Sequence, residues 1–223
     1  MSSFKEILLV VPIREGYSGI TLDLGLLYLY SALKDYGLDA TILHCPKEKI
    51  DTDKFREIIT ANMHIKIIGF KAYSVDHNAV KKMAGIVKNF LPECTTIAGG
   101  PHSTSLPEYI LKDIDSIDYV FTGEGEIGFP MFCKSILSGE DPSGTPGIVY
   151  RKNGEYRFNP QQVISDLDKL PRVRWEDINI NEYPDFLTSL SFIPVMATRG
   201  CPYHCKYCAA HKVVGRRLRY RSV

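Results

Sequence analysis

Three cysteines stand close together near the end of the 223-residue sequence, at Cys201, Cys205 and Cys208. Thiolates are soft ligands that suit zinc and iron–sulfur clusters, and a C-x3-C-x2-C spacing lets one short loop fold around a compact metal centre. Three protein ligands can leave one metal position open for a small molecule. Alternatively, His204 or His211 supplies a fourth ligand and completes a Cys3His zinc site.

The other three cysteines, Cys45, Cys94 and Cys133, are isolated in apolar or strand-like surroundings. A disulfide framework is typical of a short secreted chain and does not suit this length and this uneven distribution. We therefore interpret these three residues as small, buried hydrophobic side chains.

The composition is that of an ordinary globular chain, with 44% hydrophobic and 24% charged residues. A balance of 27 Lys and Arg against 26 Asp and Glu gives no global reason to expect nucleic acid or a lipid surface as a partner. The sequence shows neither a bilayer-spanning apolar run nor the order of a signal peptide, which predicts a cytoplasmic protein without a membrane span. The arginine-rich residues 216–221 resemble a nucleic-acid patch in isolation, with RNA contact as the minority option, but their alternation with Leu and Tyr favours the start of a next barrel strand or the solvated segment before it.

Two hydrophobic periodicities alternate along the first 140 residues, and each pair of segments has the length of a βα unit. Strands are predicted at residues 5–11, 39–44, 65–70, 95–98 and 116–122, and helices at 21–36, 53–61, 78–90, 106–112 and 126–137. This alternation predicts an α/β fold, a flavodoxin/Rossmann-like parallel sheet covered on both faces, with strand order 2-1-3-4-5.

The pattern changes after Gly139. Residues 147–159 predict a β-hairpin, because Asn153-Gly154 can take the positive φ angles of a tight turn. Three prolines in residues 160–184 indicate an extended linker along a surface, and residues 191–198 predict a strand leading into the cysteines. We expect a sheet domain at 1–140, a hairpin and linker at 141–190, and the beginning of a second domain at 191–223, of which only 15 residues follow Cys208.

Two glycine-rich segments follow the fourth and fifth predicted strands, GGPH from Gly99 to His102 and GEGE from Gly123 to Glu126. Ligands of open α/β sheets bind beyond the carboxyl ends of the strands, where glycine lets the backbone approach them. Neither segment matches the dinucleotide or Walker patterns. We interpret Glu124 and Glu126 as residues of a first helical turn that complement the helix dipole, not as acid–base catalysts.

The cysteine loop resembles the signature of the radical SAM superfamily, which lies at the end of the first strand of a partial β/α barrel. The preceding Thr198-Arg199-Gly200 is similar to the usual entry to that loop. The resemblance implies a 4Fe-4S cluster held by Cys201, Cys205 and Cys208, with S-adenosylmethionine on the fourth iron. It also implies reductive cleavage of S-adenosylmethionine to a 5′-deoxyadenosyl radical, with Tyr207 near the adenine.

The sheet domain resembles the cobalamin-binding (B12-binding) domain that precedes the radical SAM domain in a group of anaerobic enzymes. The resemblance covers about residues 5–140 and rests on the turn KAYS from Lys71 to Ser74 and on the GGPH and GEGE segments. It implies cobalamin contacts at Ala72, Tyr73, Ser74, Gly99, Gly100, Pro101, His102, Gly123, Glu124, Gly125 and Glu126.

The segment after the first predicted strand departs from one kind of B12 domain. Mutases and methionine synthase carry D-x-H-x-x-G there, and its histidine binds cobalt, whereas residues 12–19 read PIREGYSG. The resemblance therefore implies base-off cobalamin without a histidine ligand from this loop. We expect His102 to be a hydrogen-bonding loop residue and His77 to be an exposed residue at a helix start.

Together the resemblances imply the N-terminal part of a cobalamin-dependent radical SAM enzyme, with methylation of an unactivated carbon as the favoured reaction and ring formation or rearrangement as alternatives. The implied partners are a small-molecule or lipid/tetrapyrrole-like substrate and an electron donor such as flavodoxin or ferredoxin. Two other interpretations remain open. One is a cobalamin-binding module without its own catalysis, and the other is a radical SAM enzyme whose sheet domain no longer binds B12.

Overall fold

The computed structural model describes residues 4–14, 22–183 and 192–222. These residues form a seven-stranded sheet in the order β2-β1-β3-β4-β5-β6-β7. The strands are β1 (Ile7–Val11), β2 (Ala40–His44), β3 (Ile67–Lys71), β4 (Thr95–Gly99), β5 (Tyr119–Phe121), β6 (Ile148–Lys152) and β7 (Glu155–Phe158). The helices that accompany the sheet are α1 (Leu24–Asp35), α2 (Cys45–Glu48), α3 (Thr52–Ala61), α4 (His77–Phe90), α5 (Pro101–Ser105), α6 (Pro107–Asp113) and α7 (Gly128–Ser138). The predicted α/β class and the predicted order of the first five strands are confirmed.

The parallel strands are buried on both faces, which explains their nearly continuous apolar sequences. Every residue of β1 is buried, and successive side chains point to opposite faces of the sheet. Leu8 and Val10 pack in the core that includes residues of α3, α4 and α6, whereas Ile7 and Leu9 pack in the core that includes residues of α1 and α7. Helices therefore cover both faces, and a ligand can reach the parallel strands only at an edge.

The carboxyl ends of β1 and β3 lie side by side at the point where the strand order reverses. From β1 the chain runs to β2 on one side and then returns to β3 on the other. The helices diverge at such a switch point and leave a crevice beyond the strand ends. Helix α1 begins here, and its N-terminus is capped by Asp23, whose Oδ1 accepts a hydrogen bond from the Leu26 N–H at 3.0 Å.

The predicted hairpin is present, and it extends the sheet. Asn153 and Gly154 take φ angles of 54° and 79°, as a two-residue hairpin turn requires. Strand β6 pairs antiparallel with β5, and β7 pairs antiparallel with β6. The hairpin is thus continuous with the parallel sheet, and the division of the chain at residue 140 stays a prediction.

The segment after the hairpin packs along the surface of α1, as predicted for the linker. Leu167, Leu170 and Val173 are buried and share a small core with Leu27 and Tyr28 of α1. The last part of the predicted linker, at residues 184–190, lies outside the described residues.

The strand predicted at residues 191–198 is largely wrong. Among the described residues of that range only Thr198 is in a strand, β8 (Thr198–Arg199), and residues 192–197 have no regular structure. Strand β8 pairs antiparallel with β9 (Arg219–Tyr220), whereas the strands of a β/α barrel are parallel. Apolar composition favours a strand, but a strand needs a hydrogen-bonded partner, and the described part of the chain supplies only two paired positions. Within residues 216–221, Arg219 and Tyr220 form strand β9, but its antiparallel pairing does not match the predicted start of a barrel strand.

A short helix, α8 (Ala210–Val214), lies between β8 and β9. Within the described residues, none of the helices combines the length and the apolar composition needed to cross a bilayer.

Candidate functional site

A cavity of about 290 Å³ lies at the carboxyl edge of the parallel strands. Residues at the ends of β3, β4 and β5 and at the start of α1 line it, together with residues that follow the linker. Of the described lining residues, six are glycines: Gly25, Gly69, Gly99, Gly100, Gly123 and Gly125. Glycine lets the peptide backbone approach a ligand directly, and most of the other lining side chains are apolar. The cavity is therefore suited to a largely apolar ligand that lies against the strand ends.

Seven of the eleven predicted cobalamin contacts line this cavity: Gly99, Gly100, Pro101, Gly123, Glu124, Gly125 and Glu126. Tyr73 lines a neighbouring cavity of about 230 Å³, together with Arg14 and His44. Ala72, Ser74 and His102 are not among the lining residues of either cavity. The structure thus brings the GGPH and GEGE segments together and leaves the strand-three turn mostly beside the cavity.

The turn after β3 is hydrogen-bonded to the GGPH segment. The Ala72 N–H donates to the Gly99 carbonyl at 2.8 Å, and the Ala72 carbonyl accepts from the His102 N–H at 3.1 Å. Gly100 has a φ of 97°, and a Cβ there would lie 3.1 Å from the Ala72 oxygen. A side chain at position 100 would be unfavourable for two reasons, the positive φ angle and the close contact with the Ala72 oxygen. Ala72 therefore shapes the cavity without lining it.

Sequence reasoning missed the wall that the start of α1 contributes. Leu24 and Gly25 line the cavity beside Lys71, whose ammonium group pairs with the helix-capping Asp23. Glycine in a helix is less favourable than alanine by about 1 kcal/mol, so Gly25 in the first turn was a signal that the backbone there approaches something closely. The pair of Asp23 and Lys71 ties the start of α1 to the end of β3.

The interpretation of Glu124 and Glu126 as first-turn helix residues is wrong, because α7 begins only at Gly128. Both carboxylates instead pair with arginines that follow the linker. Glu126 pairs with Arg199, and Glu124 Oε1 lies 2.6 Å from the Arg219 NH2. Each buried glutamate carboxylate is attracted more strongly by its arginine than by the dipole of the helix that begins after it.

Glu124 is held in its charged form by this arrangement. Burial by itself raises the pKa of a carboxyl group. Hydrogen bonds from Arg219 and from the Ile164 N–H, together with the charge of Arg199, outweigh burial, so the pKa of Glu124 lies below its ordinary value. Burial also opposes the charge of Arg199, but hydrogen bonding to Glu126 and the charges of both glutamates raise its pKa.

The cysteine loop is closed at its base by backbone contacts. The Cys201 N–H donates to the Gly215 carbonyl at 3.0 Å, next to the pairing of β8 with β9. Gly200 has a φ of 107°, and a Cβ there would overlap the Arg217 carbonyl. Glycine is therefore required just before the first cysteine, so that the two ends of the loop can meet.

The three clustered thiols are free; Cys205 is exposed, and Cys201 and Cys208 are partly exposed. Within the described residues, no group of three or more His, Cys, Asp or Glu side chains stands close enough together to hold a metal ion. The donor set nevertheless fits a cluster, because three soft thiols lie on one loop whose base is fixed by the Cys201–Gly215 hydrogen bond. Tyr207 is 93% exposed, and its place beside an adenine stays a prediction.

The three scattered cysteines are buried, as predicted. Burial raises the pKa of Cys45 and of Cys94 to about 12, and it raises the pKa of Cys133 as well. Their thiols are protonated at neutral pH, which makes them poor metal ligands.

Two histidines, His102 of the GGPH segment and His77, form a hydrogen-bonded chain. His102 Nδ1 lies 3.1 Å from the Ser74 hydroxyl, His102 Nε2 lies 3.1 Å from His77 Nδ1, and His77 Nε2 lies 2.8 Å from Asp113 Oδ2. The carboxylate can only accept, so with neutral rings His77 donates to Asp113, His102 donates to His77, and Ser74 donates to His102.

The surroundings of the two rings test the expectations for His102 and His77. His102 is a hydrogen-bonding residue, as predicted, although it lies in α5 and not in a loop. His77 does begin α4, but its predicted exposure is wrong. Its side chain is only 12% exposed, because Tyr109 stacks on the ring at a centroid distance of 5.0 Å.

We expect His102 to make the fold sensitive to acid. Burial, followed by the neighbouring His77, lowers the pKa of His102 below its ordinary value. The unfolded chain therefore binds a proton near pH 6.5 that the folded chain refuses, and the free energy of unfolding falls as the pH drops from there to the folded pKa, by at most about 1.4 kcal/mol per pH unit. Urea unfolding at several pH values between 7.5 and 5.5 should show a shallower slope for His102→Asn.

The exposed Met63, which carries no titratable group, offers a control. Met63→Gln should leave the pH slope as it is in the parent chain. An unchanged slope in His102→Asn would contradict the assignment of this sensitivity to the buried ring.

The fold and the cavity define an open α/β domain with a ligand site at the switch point of its sheet, joined to a loop that carries three thiols. A protein-family model for the B12 binding domain matches residues 12–132, more than half of the chain. The chain belongs to the B12-binding domain family.

Two curated relatives match most of this chain. An uncharacterized methyltransferase of Pyrococcus horikoshii is 30% identical over 98% of this chain and 48% of its own length. The anaerobic magnesium-protoporphyrin IX monomethyl ester cyclase of Synechocystis is 27% identical over 83% of this chain and 37% of its own length. This chain thus spans about half or less of the length of these relatives.

A solved structure shows the same fold. The radical S-adenosylmethionine methyltransferase TsrM from Kitasatospora setae, with cobalamin and a 4Fe-4S cluster bound, matches with a TM-score of 0.73 over 98% of this chain and 44% of its own. At 17% identity this likeness establishes the fold. The predicted resemblance to cobalamin-binding-domain-containing radical SAM proteins is confirmed, and the family model shows the B12-binding domain itself.

Proposed function

We propose that this chain binds cobalamin in the cavity at the carboxyl edge of the sheet and a 4Fe-4S cluster on Cys201, Cys205 and Cys208, as part of a cobalamin-dependent radical SAM methyltransferase. One observation carries the proposal. The cavity is lined by the glycine loops of the B12-binding fold together with Met196 and Arg199, which lie within five residues of the first cysteine of the loop. The two expected cofactor sites are therefore neighbours.

The residues of the cavity have separable tasks in this proposal. Gly99 leaves room for a flat ligand against the strand ends, and Phe121 and Phe129 exclude water beneath it. The carboxylates of Glu124 and Glu126 are paired with arginines, so they leave no uncompensated charge at the cavity.

When bound, the cluster would supply the electron that cleaves S-adenosylmethionine to a 5′-deoxyadenosyl radical, and cobalamin would supply a methyl group for an unactivated carbon. The chain's own task is to hold these groups next to each other and to shield them. Cys201, Cys205 and Cys208 would bind the cluster, and Tyr207 would lie along the adenine.

We further propose that cobalamin is bound base-off, without a histidine from the loop after β1. Residues 12–19 contain no histidine. His102 is unsuited to replace one, since both of its ring nitrogens are engaged, with Ser74 and with His77. His44 lines the smaller cavity, and its Nδ1 accepts the Lys47 N–H at 3.2 Å.

The substrate we propose is a small molecule or a lipid- or tetrapyrrole-like compound, and the electron donor is a protein such as flavodoxin or ferredoxin. A reduced iron–sulfur cluster and free thiols are stable only in a reducing compartment, so we place the protein in the cytoplasm.

Binding of hydroxocobalamin tests the first half of the proposal. In equilibrium dialysis under anaerobic conditions, the chain should retain about one corrin per molecule, and reduction to cob(II)alamin should give a paramagnetic resonance spectrum without nitrogen splitting. No retained corrin would favour a sheet domain that serves only as a scaffold. Nitrogen splitting in the spectrum would contradict the proposed axial coordination.

A further inference from the structure

Four charged side chains are packed together at the rim of the cavity: Glu124, Glu126, Arg199 and Arg219. We call them the rim cluster. Their side chains are between 4% and 11% exposed. Two carboxylates face two guanidinium groups, so the cluster is balanced in formal charge. Groups this deeply buried must be paired, since an isolated charge would be strongly destabilising.

Arg219 makes the more regular of the two pairings. Its NH2 lies 2.6 Å from Glu124 Oε1, and its NH1 lies 2.9 Å from Glu124 Oε2. The same guanidinium donates to the Ile164 carbonyl at 2.6 Å and to the Val214 carbonyl at 3.0 Å. Such a two-point pairing fixes both distance and orientation.

Arg199 completes the cluster. Its NH2 pairs with Glu126, and its NH1 lies 3.5 Å from Glu124 Oε1. The guanidinium also lies over the Tyr28 ring, 5.5 Å from the centroid. Arg199 therefore joins the second glutamate, the first glutamate and helix α1 in one contact region.

The positions of the four residues in the chain give the cluster its significance. Arg199 and Arg219 are directly paired in the β8–β9 ladder, and the residues between them carry all three clustered cysteines. Glu124 and Glu126 flank Gly125 in the loop that lines the cavity. The rim cluster thus connects the base of the cysteine loop to the wall of the cavity.

We propose that Glu124 and Glu126 are positioning residues that dock the base of the cysteine loop onto the cavity rim, and that this link transmits the filling of the cavity to the loop. The second part rests on the proposed function. A ligand that holds residues 123–126 in place also holds the arginines paired with them, and the loop becomes more ordered. Coupling of this kind is reciprocal, so an ordered loop also strengthens binding in the cavity.

Hydrogen–deuterium exchange of the whole chain tests the docking role without any cofactor. The amides to follow are those of Cys201, which donates to Gly215, and of Arg221, which donates to Ala197. Glu124→Gln removes one charge at nearly constant shape and should raise exchange at these amides about tenfold or more, because it leaves the buried Arg219 without its charged partner. The amides of β1 and β3 should be unaffected.

Two further variants keep this comparison informative. Glu155→Gln is the matched control, since Glu155 pairs with Arg157 on the exposed hairpin, and it should leave loop exchange unchanged. Glu126→Gln leaves the two-point pairing of Glu124 with Arg219 intact and is the milder variant, to be used if Glu124→Gln does not fold. Unchanged exchange in the folded glutamate variants would overturn the docking role.

The same measurement with hydroxocobalamin as the probe tests the transmission. Saturating hydroxocobalamin should slow exchange at Cys201 and Arg221 in the parent chain by several fold. It should slow exchange far less in Glu124→Gln, or in Glu126→Gln if Glu124→Gln does not fold. If Glu124 only stabilises the local structure, hydroxocobalamin will slow exchange equally in the parent chain and in the variant. That result would overturn the link.

The possible outcomes separate this proposal from the proposed function. A parent chain that binds hydroxocobalamin without any change in loop exchange overturns the link and leaves the cofactor assignment intact. A parent chain that binds none overturns the cofactor assignment together with the link, while the ligand-free comparison still decides the docking role.

Discussion

Replacement of Cys205 by alanine is expected to reduce the iron bound after anaerobic reconstitution from about four atoms per chain to nearly none. Cys205 is the central and most exposed of the three clustered cysteines, and two thiolates do not hold a 4Fe-4S cluster. Iron and sulfide analysis, together with the charge-transfer absorbance of the cluster, measures the effect. In a longer chain that cleaves S-adenosylmethionine, the same substitution should abolish cleavage.

Cys94→Ala is the matched control for this prediction. Cys94 is buried, and with a pKa of about 12 its thiol is protonated at neutral pH, so its loss should leave the iron content unchanged. Full iron loading in Cys205→Ala would contradict the assigned role. Tight binding of one zinc ion to the parent chain, lost in His204→Ala or His211→Ala, would instead establish the Cys3His alternative.

Replacement of Gly99 by leucine is expected to weaken hydroxocobalamin binding by about 100-fold or more, because the new side chain would occupy the cavity. Gly99 and Ile97 lie on the same face of β4, and both line the cavity. A Cβ at Gly99 would meet only the Cβ of Phe121, at 4.0 Å, so the folded chain has room for it. The free energy of unfolding should change by less than about 1 kcal/mol. Titration followed by the corrin absorbance gives the affinity.

Gly144→Leu serves as the control, because Gly144 is exposed, has open space at its Cβ position and lies outside the cavity lining. It should bind hydroxocobalamin as the parent chain does. Equal affinity in the two leucine variants would mean that the corrin does not bind in this cavity. Gly99→Ala should fall between the parent chain and Gly99→Leu, since its side chain fills less of the same space.

The sheet could be predicted because its signals are local. Short apolar runs separated by helical periodicity mark buried parallel strands, and the order β2-β1-β3-β4-β5 follows from rules that hold across this class of fold. Asn153-Gly154 identified the hairpin in the same way, through the backbone angles that its turn requires. The continuation of the parallel sheet by that hairpin was not predicted, because pairing of β6 with β5 depends on which edge remains open.

The site was only partly predictable. The GGPH and GEGE segments were found because glycines after strands signal a close approach of the backbone, and the structure brings both to one cavity. The wall formed by α1 and the lining residues Met196 and Arg199 were missed, because nothing in their own neighbourhood of the sequence indicates that they meet the sheet edge.

The glutamates show most clearly where local reasoning fails. Glu124 and Glu126 stand just before a helix, and a dipole interaction was the reasonable local expectation. Their partners lie more than 70 residues further along, in β8 and β9, and at short distance two buried guanidinium groups stabilise the carboxylates far more than a helix terminus does. His77 repeats the lesson, since its burial depends on Tyr109 and His102 from other elements.

By itself the sequence determined the parallel sheet with its strand order, the hairpin turn, the burial of the three scattered cysteines and the identity of the three clustered thiols, because each depends on residue type and spacing within a short stretch. Only the tertiary structure decided that the glycine loops share one cavity, that residues of the segment before Cys201 line it, and that Glu124 and Glu126 are bound to Arg219 and Arg199. Those facts depend on contacts between distant parts of the chain, and such contacts are selected by the packing of the whole fold and not by any local pattern.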